Sequence, residues 1–263
     1  MRTVRKLGCH KTLELELTHR GHKEGAPNPL LLKLDRMDGL EPADYRQLSF
    51  GEPRLVLPRR DIVTEGERVS HPLLLLAGLA CRYKMMHEGR RAIIGFLVPG
   101  DFITPITPIT PWSPEEQRVD FGACALSPCE IVEHLSPQSS GAAPHLARAL
   151  SRCTLEDGAI QRMWLANIGQ PADKRLAHLL CELRGRLAMV GMADENSFPL
   201  MMTQQDLADA LGLSSVHVNR VMQYLREEGL IRIASRNVYI PDPARLEKFA
   251  GFDPAYLHLG RDH

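Results

Sequence analysis

Between residues 204 and 223 the apolar positions recur at spacings of two to five. Leu207, Leu211, Leu213, Val218 and Val221 fall where two short helices would face each other and a core. Ala208 puts a small side chain where such helices cross, and Gly212 follows four residues later in the turn, where a positive φ costs a glycine little. Thr203 and Asp206 have the spacing of a capping box at the start of the first helix, and Ser214 is placed to cap the second. The pattern predicts a helix-turn-helix. Ser215, Val216, Asn219, Arg220 and Gln223 remain on the outer face of its second helix, with short or planar groups able to reach base edges in a major groove. Thr203, Gln204, Ser214 and His217, at the open helix ends, complete the candidate contact set on this element. An amphipathic helix pair with no nucleic-acid role would share the same periodicity.

Residues 231–240 alternate apolar and polar around a Ser-Arg-Asn turn, which predicts two short strands forming a wing beside the helix pair. Arg232, Arg236 and Asn237 there either lie on phosphates or are solvated hairpin charges. Upstream, the chain divides by pattern. Residues 1–28 are polar and rich in His, Lys and Gly, and read as a flexible N-terminal extension. Residues 29–140 begin with one or two short helices to about residue 48. Short apolar runs punctuated by glycine-containing turns then predict a small antiparallel barrel or jelly roll. In residues 141–169, Leu146, Leu150, Cys153, Ile160 and Trp164 recur at helical intervals. They predict a long helix, interrupted near Asp157 and Gly158, whose seam serves either a dimer interface or packing on its own domain. Residues 170–263 open with a further helix and carry the predicted winged helix-turn-helix. The fold class is α+β: a cupin-like jelly roll, a long dimerisation helix and a C-terminal winged helix-turn-helix.

Composition changes this picture little. At 263 residues, with 44% hydrophobic and 24% charged, the chain suits about two soluble globular domains. Its formal net charge is zero, so no global basic field draws nucleic acid; between Ser214 and Arg226, however, the only charged residues are Arg220 and Arg226. No run approaches the roughly 20 apolar residues of a membrane span, and the N-terminus lacks a secretory apolar core, so the expected location is cytoplasmic. The six cysteines show no CxxC spacing and are expected as thiols. Cys9 with His10, His19 and His22 fits no standard metal site; His178 and Cys181, three apart on one helix, read as core positions. No cofactor and no catalytic group is expected.

The order barrel, long helix, winged helix resembles the Crp/Fnr family of bacterial transcription regulators from about residue 30 to the end. Separate stretches carry the likeness: Glu65–Glu67, residues 78–102 with their Pro-Gly-Asp-Phe turn, residues 125–131, residues 175–183 and the helix-turn-helix. Residues 252–257 are similar to the tail of a branch common in alphaproteobacteria. The resemblance implies a homodimer on a palindromic site in double-stranded DNA, with recognition helices in successive major grooves. Arg220 matches the family's guanine-reading arginine. Where the best-known members have a glutamate four residues earlier, this chain has Val216, which can pack on a thymine methyl but accepts no hydrogen bond. The family's phosphate-gripping Arg-Ser pair is replaced by Val119-Asp120, which disfavours a cyclic nucleotide, and a lone Cys9 disfavours an iron–sulfur cluster.

One segment stands outside this frame. Residues 103–111 repeat Ile-Thr-Pro three times, a period that suits polyproline II. It reads as a rigid surface loop or as a docking face for another protein such as RNA polymerase. Two further functions remain as alternatives: a small-molecule sensor centred on the barrel, and a cupin-type metalloenzyme. The second would need clustered histidines, whereas His71, His87 and His134 stand apart in the sequence.

Overall fold

The computed structural model describes residues 28–38, 40, 44, 48–104, 118–135 and 144–257. Residues 1–27 of the N-terminal extension and the Ile-Thr-Pro repeat from residue 105 onward fall outside the described residues. Helix α1, Pro29–Asp38, precedes eight short strands: β1 Ser49–Phe50, β2 Arg54–Val56, β3 Asp61–Val63, β4 Leu73–Ala77, β5 Ala80–Met85, β6 Arg91–Leu97, β7 Gly122–Ala125 and β8 Cys129–Leu135. They form two antiparallel four-stranded sheets. In one, β8 pairs with β1, β2 and β4; the other has the order β3-β7-β5-β6.

A strand's period of two explains how these sheets serve three separate cores. The four consecutive leucines of β4 are all buried because both faces are covered. Leu73 and Leu75 point into the barrel with Ala80, Ala123, Ala125 and Ile131. Leu74 and Leu76 point outward, against Leu30 and Leu34 of α1 and Leu146 of the long helix. The second sheet likewise turns Leu79, Cys81, Phe96 and Cys124 outward to the helices of the C-terminal part. The β4–β5 turn requires Gly78: its φ is +88°, and a Cβ there would sit 2.2 Å from the Pro128 carbonyl oxygen.

Helix α2 spans Pro144–Asn167 without a break, so the expected interruption at Asp157 and Gly158 is absent. A mid-helix glycine costs about 1 kcal/mol, but both neighbouring turns are anchored. Arg82 of β5 grips Asp157 at 2.6 and 2.8 Å, and Cys153, Glu156 and Ile160 are buried beside it. Of the two readings of the seam, packing on its own domain is the one these residues show. Leu146, Cys153 and Ile160 are buried, and Leu150 and Trp164 half-buried, against the protein's own barrel and C-terminal helices. The opposite face carries Arg148, Ser151, Leu155, Gly158, Arg162 and Leu165 at alternating spacings of three and four, with Leu155 60% and Leu165 68% exposed.

Helix α3, Ala172–Met189, lies between barrel and C-terminal part and is buried along most of its length. A buried ionic hub ties it to the rest. Asp101, after β6, accepts from Lys33 of α1 at 2.7 Å and from Arg186 of α3 at 2.6 Å. Lys33 also pairs with Glu156 of α2 at 2.6 Å, and Arg186 with Glu182 at 3.0 Å. Burial opposes ionisation of Asp101, but Lys33 and Arg186 outweigh it and hold the carboxyl down at about 2. Strand β9, Ser197–Pro199, then leads to helices α4, Gln204–Leu211, and α5, Ser215–Glu227, and to the hairpin β10 Arg232–Ala234 and β11 Asn237–Tyr239. β9 pairs with β11 and completes a three-stranded wing sheet. Helix α6, Pro243–Ala250, and a final 3-10 turn, Pro254–Leu257, pack back onto α3. There Phe252 meets His178 edge-on at 5.0 Å, and the Tyr256 hydroxyl donates to Glu182 at 2.9 Å. Among the described residues, no helix is long and apolar enough to cross a membrane.

Candidate nucleic-acid interface

Local hydrogen bonds build the helix pair as its sequence requires. Thr203 Oγ1 accepts from the Asp206 amide at 3.2 Å while Asp206 Oδ2 accepts from the Thr203 amide at 2.8 Å, a complete capping box. Gly212 ends α4 in the left-handed conformation, with φ +63°. Ser214 Oγ then accepts from the His217 amide at 3.2 Å and starts α5. Val218, Val221, Met222 and Leu225 form the buried stripe of α5. Its other face is solvent: Ser214, Val216, His217, Asn219, Arg220 and Gln223 are exposed, Val216 by 68%, and Ser215 is half-exposed. Val216, Asn219, Arg220 and Gln223 follow the three-to-four spacing that places side chains on one helical face. Arg220 has no hydrogen bond or ion pair among the described residues, whereas Gln223 donates to Glu227 one turn on at 3.0 Å.

Thr203 and Gln204 lie exposed at the N-terminus of α4, where unpaired backbone N–H groups attract anions. Arg236 is exposed at the tip of the wing. Ser235 and Arg236 both have positive φ, at 49° and 61°, as a tight two-residue hairpin turn demands. The other wing candidates have local partners: Arg232 stacks over Tyr239 at 4.9 Å, and the Asn237 amide donates to the Ser235 carbonyl at 3.2 Å.

Two arginines from the barrel complete the site, and sequence reasoning missed them. Arg59, in the β2–β3 turn, forks onto Asp206 at 2.6 and 3.0 Å and reaches Thr203 Oγ1 at 3.3 Å. Arg91, at the start of β6, donates to Asp206 at 2.7 Å and to Asp209 at 2.9 Å. One carboxylate therefore caps α4 and clasps it to the barrel. Burial opposes ionisation of Asp206, but the hydrogen bonds from Arg59 and Thr203 prevail, with Arg91 adding to them, and its carboxyl falls to about 2. The only hint in the sequence is Pro-Arg-Arg-Asp between two strands, and Arg59 adopts φ +68°, a rare conformation for an arginine.

Residues 174–249 match the family model for the Crp-like helix-turn-helix domain. Two curated relatives extend the similarity upstream. The nitrogen fixation regulation protein FixK of Bradyrhizobium diazoefficiens is 30% identical over 210 residues, 78% of this chain and 82% of that protein. The transcriptional activator protein FnrL of Cereibacter sphaeroides is 27% identical over 226 residues, 83% of this chain and 87% of its own. Among solved structures, FixK2 from Bradyrhizobium japonicum superposes with a TM-score of 0.63 at 22% identity, covering 77% of this chain and 98% of that one.

Proposed function

Because the chain belongs to the Crp/Fnr family of transcription regulators, we propose that it binds double-stranded DNA sequence-specifically, as a cytoplasmic homodimer on a palindromic operator. The carrying observation is the bare outer face of α5, held in place by its Ser214 cap and its buried stripe. In this reading Arg220 donates a bidentate pair to a guanine, and Ser215, Val216, Asn219 and Gln223 read neighbouring base edges. Thr203, Gln204, Ser214, His217 and Arg236 hold phosphates and set the register. The division of labour follows the chain: extension to residue 28, barrel to 140, dimerisation helix to 169, DNA-binding domain to the end.

The homodimer uses the face of α2 opposite the expected seam. Leu155, Gly158, Arg162 and Leu165 keep the heptad rhythm of a coiled-coil stripe, and exposed leucines there favour a second helix. The two α5 helices then enter successive major grooves roughly 34–36 Å apart. The similarity to the transcriptional activator FnrL supports contact with RNA polymerase. A cyclic nucleotide is disfavoured as effector. Val119-Asp120 stands where the family's phosphate-gripping Arg-Ser pair would lie, and the aspartate repels a phosphate.

Selection from a random-sequence duplex pool, followed by gel shift on the enriched duplex, tests the reading. Arg220→Ala is expected to lower discrimination about 10- to 100-fold, and unchanged affinity for the enriched duplex overturns the assignment. Leu165→Glu is expected to yield monomers in sedimentation velocity; a dimer that survives it rejects this face of α2.

A further inference from the structure

The interdomain clasp lies directly over a pair of thiols. Cys81 of β5 and Cys124 of β7 are cross-strand partners, with their Sγ atoms 3.4 Å apart. Arg91 Nη1 stands 3.4 Å from Cys124 Sγ, and the same guanidinium holds Asp206 and Asp209 of α4. We propose that Cys81 and Cys124 form a reversible dithiol–disulfide pair, oxidised by a small peroxide, and that Arg91 transmits its state to the helix-turn-helix. The transmission arm rests on the DNA-binding reading above; the thiol chemistry does not.

Geometry favours closure. Directly opposed residues of an antiparallel pair have Cα atoms about 4.5 or 5.5 Å apart, both within the span a disulfide bridges. The sulfurs need to approach by little more than an ångström to reach a bond of about 2.05 Å. Electrostatics select the attacking sulfur. The Cys81 thiol and then the Arg91 guanidinium stabilise a Cys124 thiolate and pull its pKa below the usual thiol range, while the same hydrogen bond and burial push Cys81 up. Cys124 keeps 5% of its surface and Cys81 none, so a small oxidant meets Cys124 first. The contrast with Cys129, Cys153 and Cys181 is plain: burial raises these to about 11, 12 and 12.

The chemistry balances. The Cys124 thiolate attacks one oxygen of hydrogen peroxide, the O–O bond breaks, and sulfenic acid and hydroxide form, the hydroxide leaving as water after taking a proton. Cys81 sulfur then attacks the sulfenic sulfur, the S–O bond breaks, and a second water carries off that oxygen with the Cys81 proton. Two thiols are oxidised and one peroxide is reduced. Closure ties Cys124 Sγ into the disulfide and so alters one of the three groups within reach of the Arg91 guanidinium, the other two being Asp206 and Asp209 of α4.

The test uses the full chain, reduced and then exposed to hydrogen peroxide. The chain is expected to lose a pair of hydrogens by intact mass, with peptide mapping joining Cys81 to Cys124 and dithiothreitol reversing it. A linkage through any other cysteine, or none, overturns the site. On a duplex enriched by the reduced protein, oxidation is expected to weaken binding about tenfold, a shift of 1.4 kcal/mol. Cys81→Ser, or Cys124→Ala should that variant misfold, is expected to abolish the response. Arg91→Met is expected to form the disulfide yet lose the effect on DNA. Hydrogen exchange across residues 203–212 reads the coupling without DNA and is expected to rise on oxidation. A mapped disulfide with unchanged exchange rejects the transmission. Failure to enrich any duplex rejects the DNA reading and leaves the mass and exchange results to decide the switch.

Discussion

Two charged assemblies join the barrel to the rest of the chain, and they differ in almost every physical respect. The hub of Lys33, Asp101, Glu156, Glu182 and Arg186 is buried, and it gathers α1, the turn after β6, α2 and α3 at one place. The clasp of Arg59 and Arg91 on Asp206 and Asp209 lies nearer the surface, with the Arg59 side chain 47% exposed and that of Arg91 21%. A buried ion is costly to leave without its partner, whereas a half-exposed arginine exchanges a carboxylate for water at little cost. The hub therefore sets which helices stay together. Asp206 itself is buried, so it is the Arg59 arm of the clasp that is suited to letting go, and the clasp is the assembly that touches α4.

The largest expected effect tests the hub. Asp101→Ala removes the carboxylate that buried Lys33 and Arg186 share, leaving each with one acidic partner, and should cost about 3–5 kcal/mol in denaturant unfolding; a loss below 1 kcal/mol would erase the distinction. Acid titration ranks next. Asp101 and Asp206 have folded pKa values near 2 against an ordinary 3.8. Their stabilisation is complete above about pH 4 and lost as pH falls to 2, on the order of 2 kcal/mol each. His134 and His178 act in a separate window. Burial lowers both to about 4, so the unfolded chain takes up their protons first and stability declines from pH 6.5 down to 4. Asn at 101 or 206 should flatten only the lower window, as measured by chemical denaturation at each pH.

Smaller effects test the clasp. Asp206→Ala removes a capping-box carboxylate as well as two arginine contacts and should cost about 1–3 kcal/mol. Arg59→Ala should cost less than about 1 kcal/mol, and the difference should disappear in high salt as screening sets in. If Arg59→Ala proves as damaging as Asp101→Ala, clasp and hub are a single structural unit.

The helix-turn-helix was legible from sequence because its defining interactions are local. A Thr-to-Asp capping box, a Ser cap and a left-handed glycine lie within four residues of their partners. Strand β9 was not legible: Ser197–Pro199 is only three residues long and is defined by pairing with β11, forty residues away. The solvent face of α5 could be named because its buried stripe repeats on one helix. The seam of α2 stayed open between a dimer interface and its own domain because periodicity shows that a helix has an apolar face without showing what covers it.

By itself, then, the sequence determined the helix-turn-helix, its caps and turn, and the side chains left for solvent on α5, all through contacts within a turn or two of the backbone. Tertiary structure decided that the apolar stripe of α2 belongs to its own barrel, and that a heptad stripe remains on the other side. It also placed Arg59 on Asp206 across 147 positions, Arg91 on the same carboxylate across 115, and Cys81 against Cys124 across 43. Such pairings leave no local pattern. They exist only because β5 pairs with β7 and α4 packs on β6, and the regulatory coupling proposed above resides there.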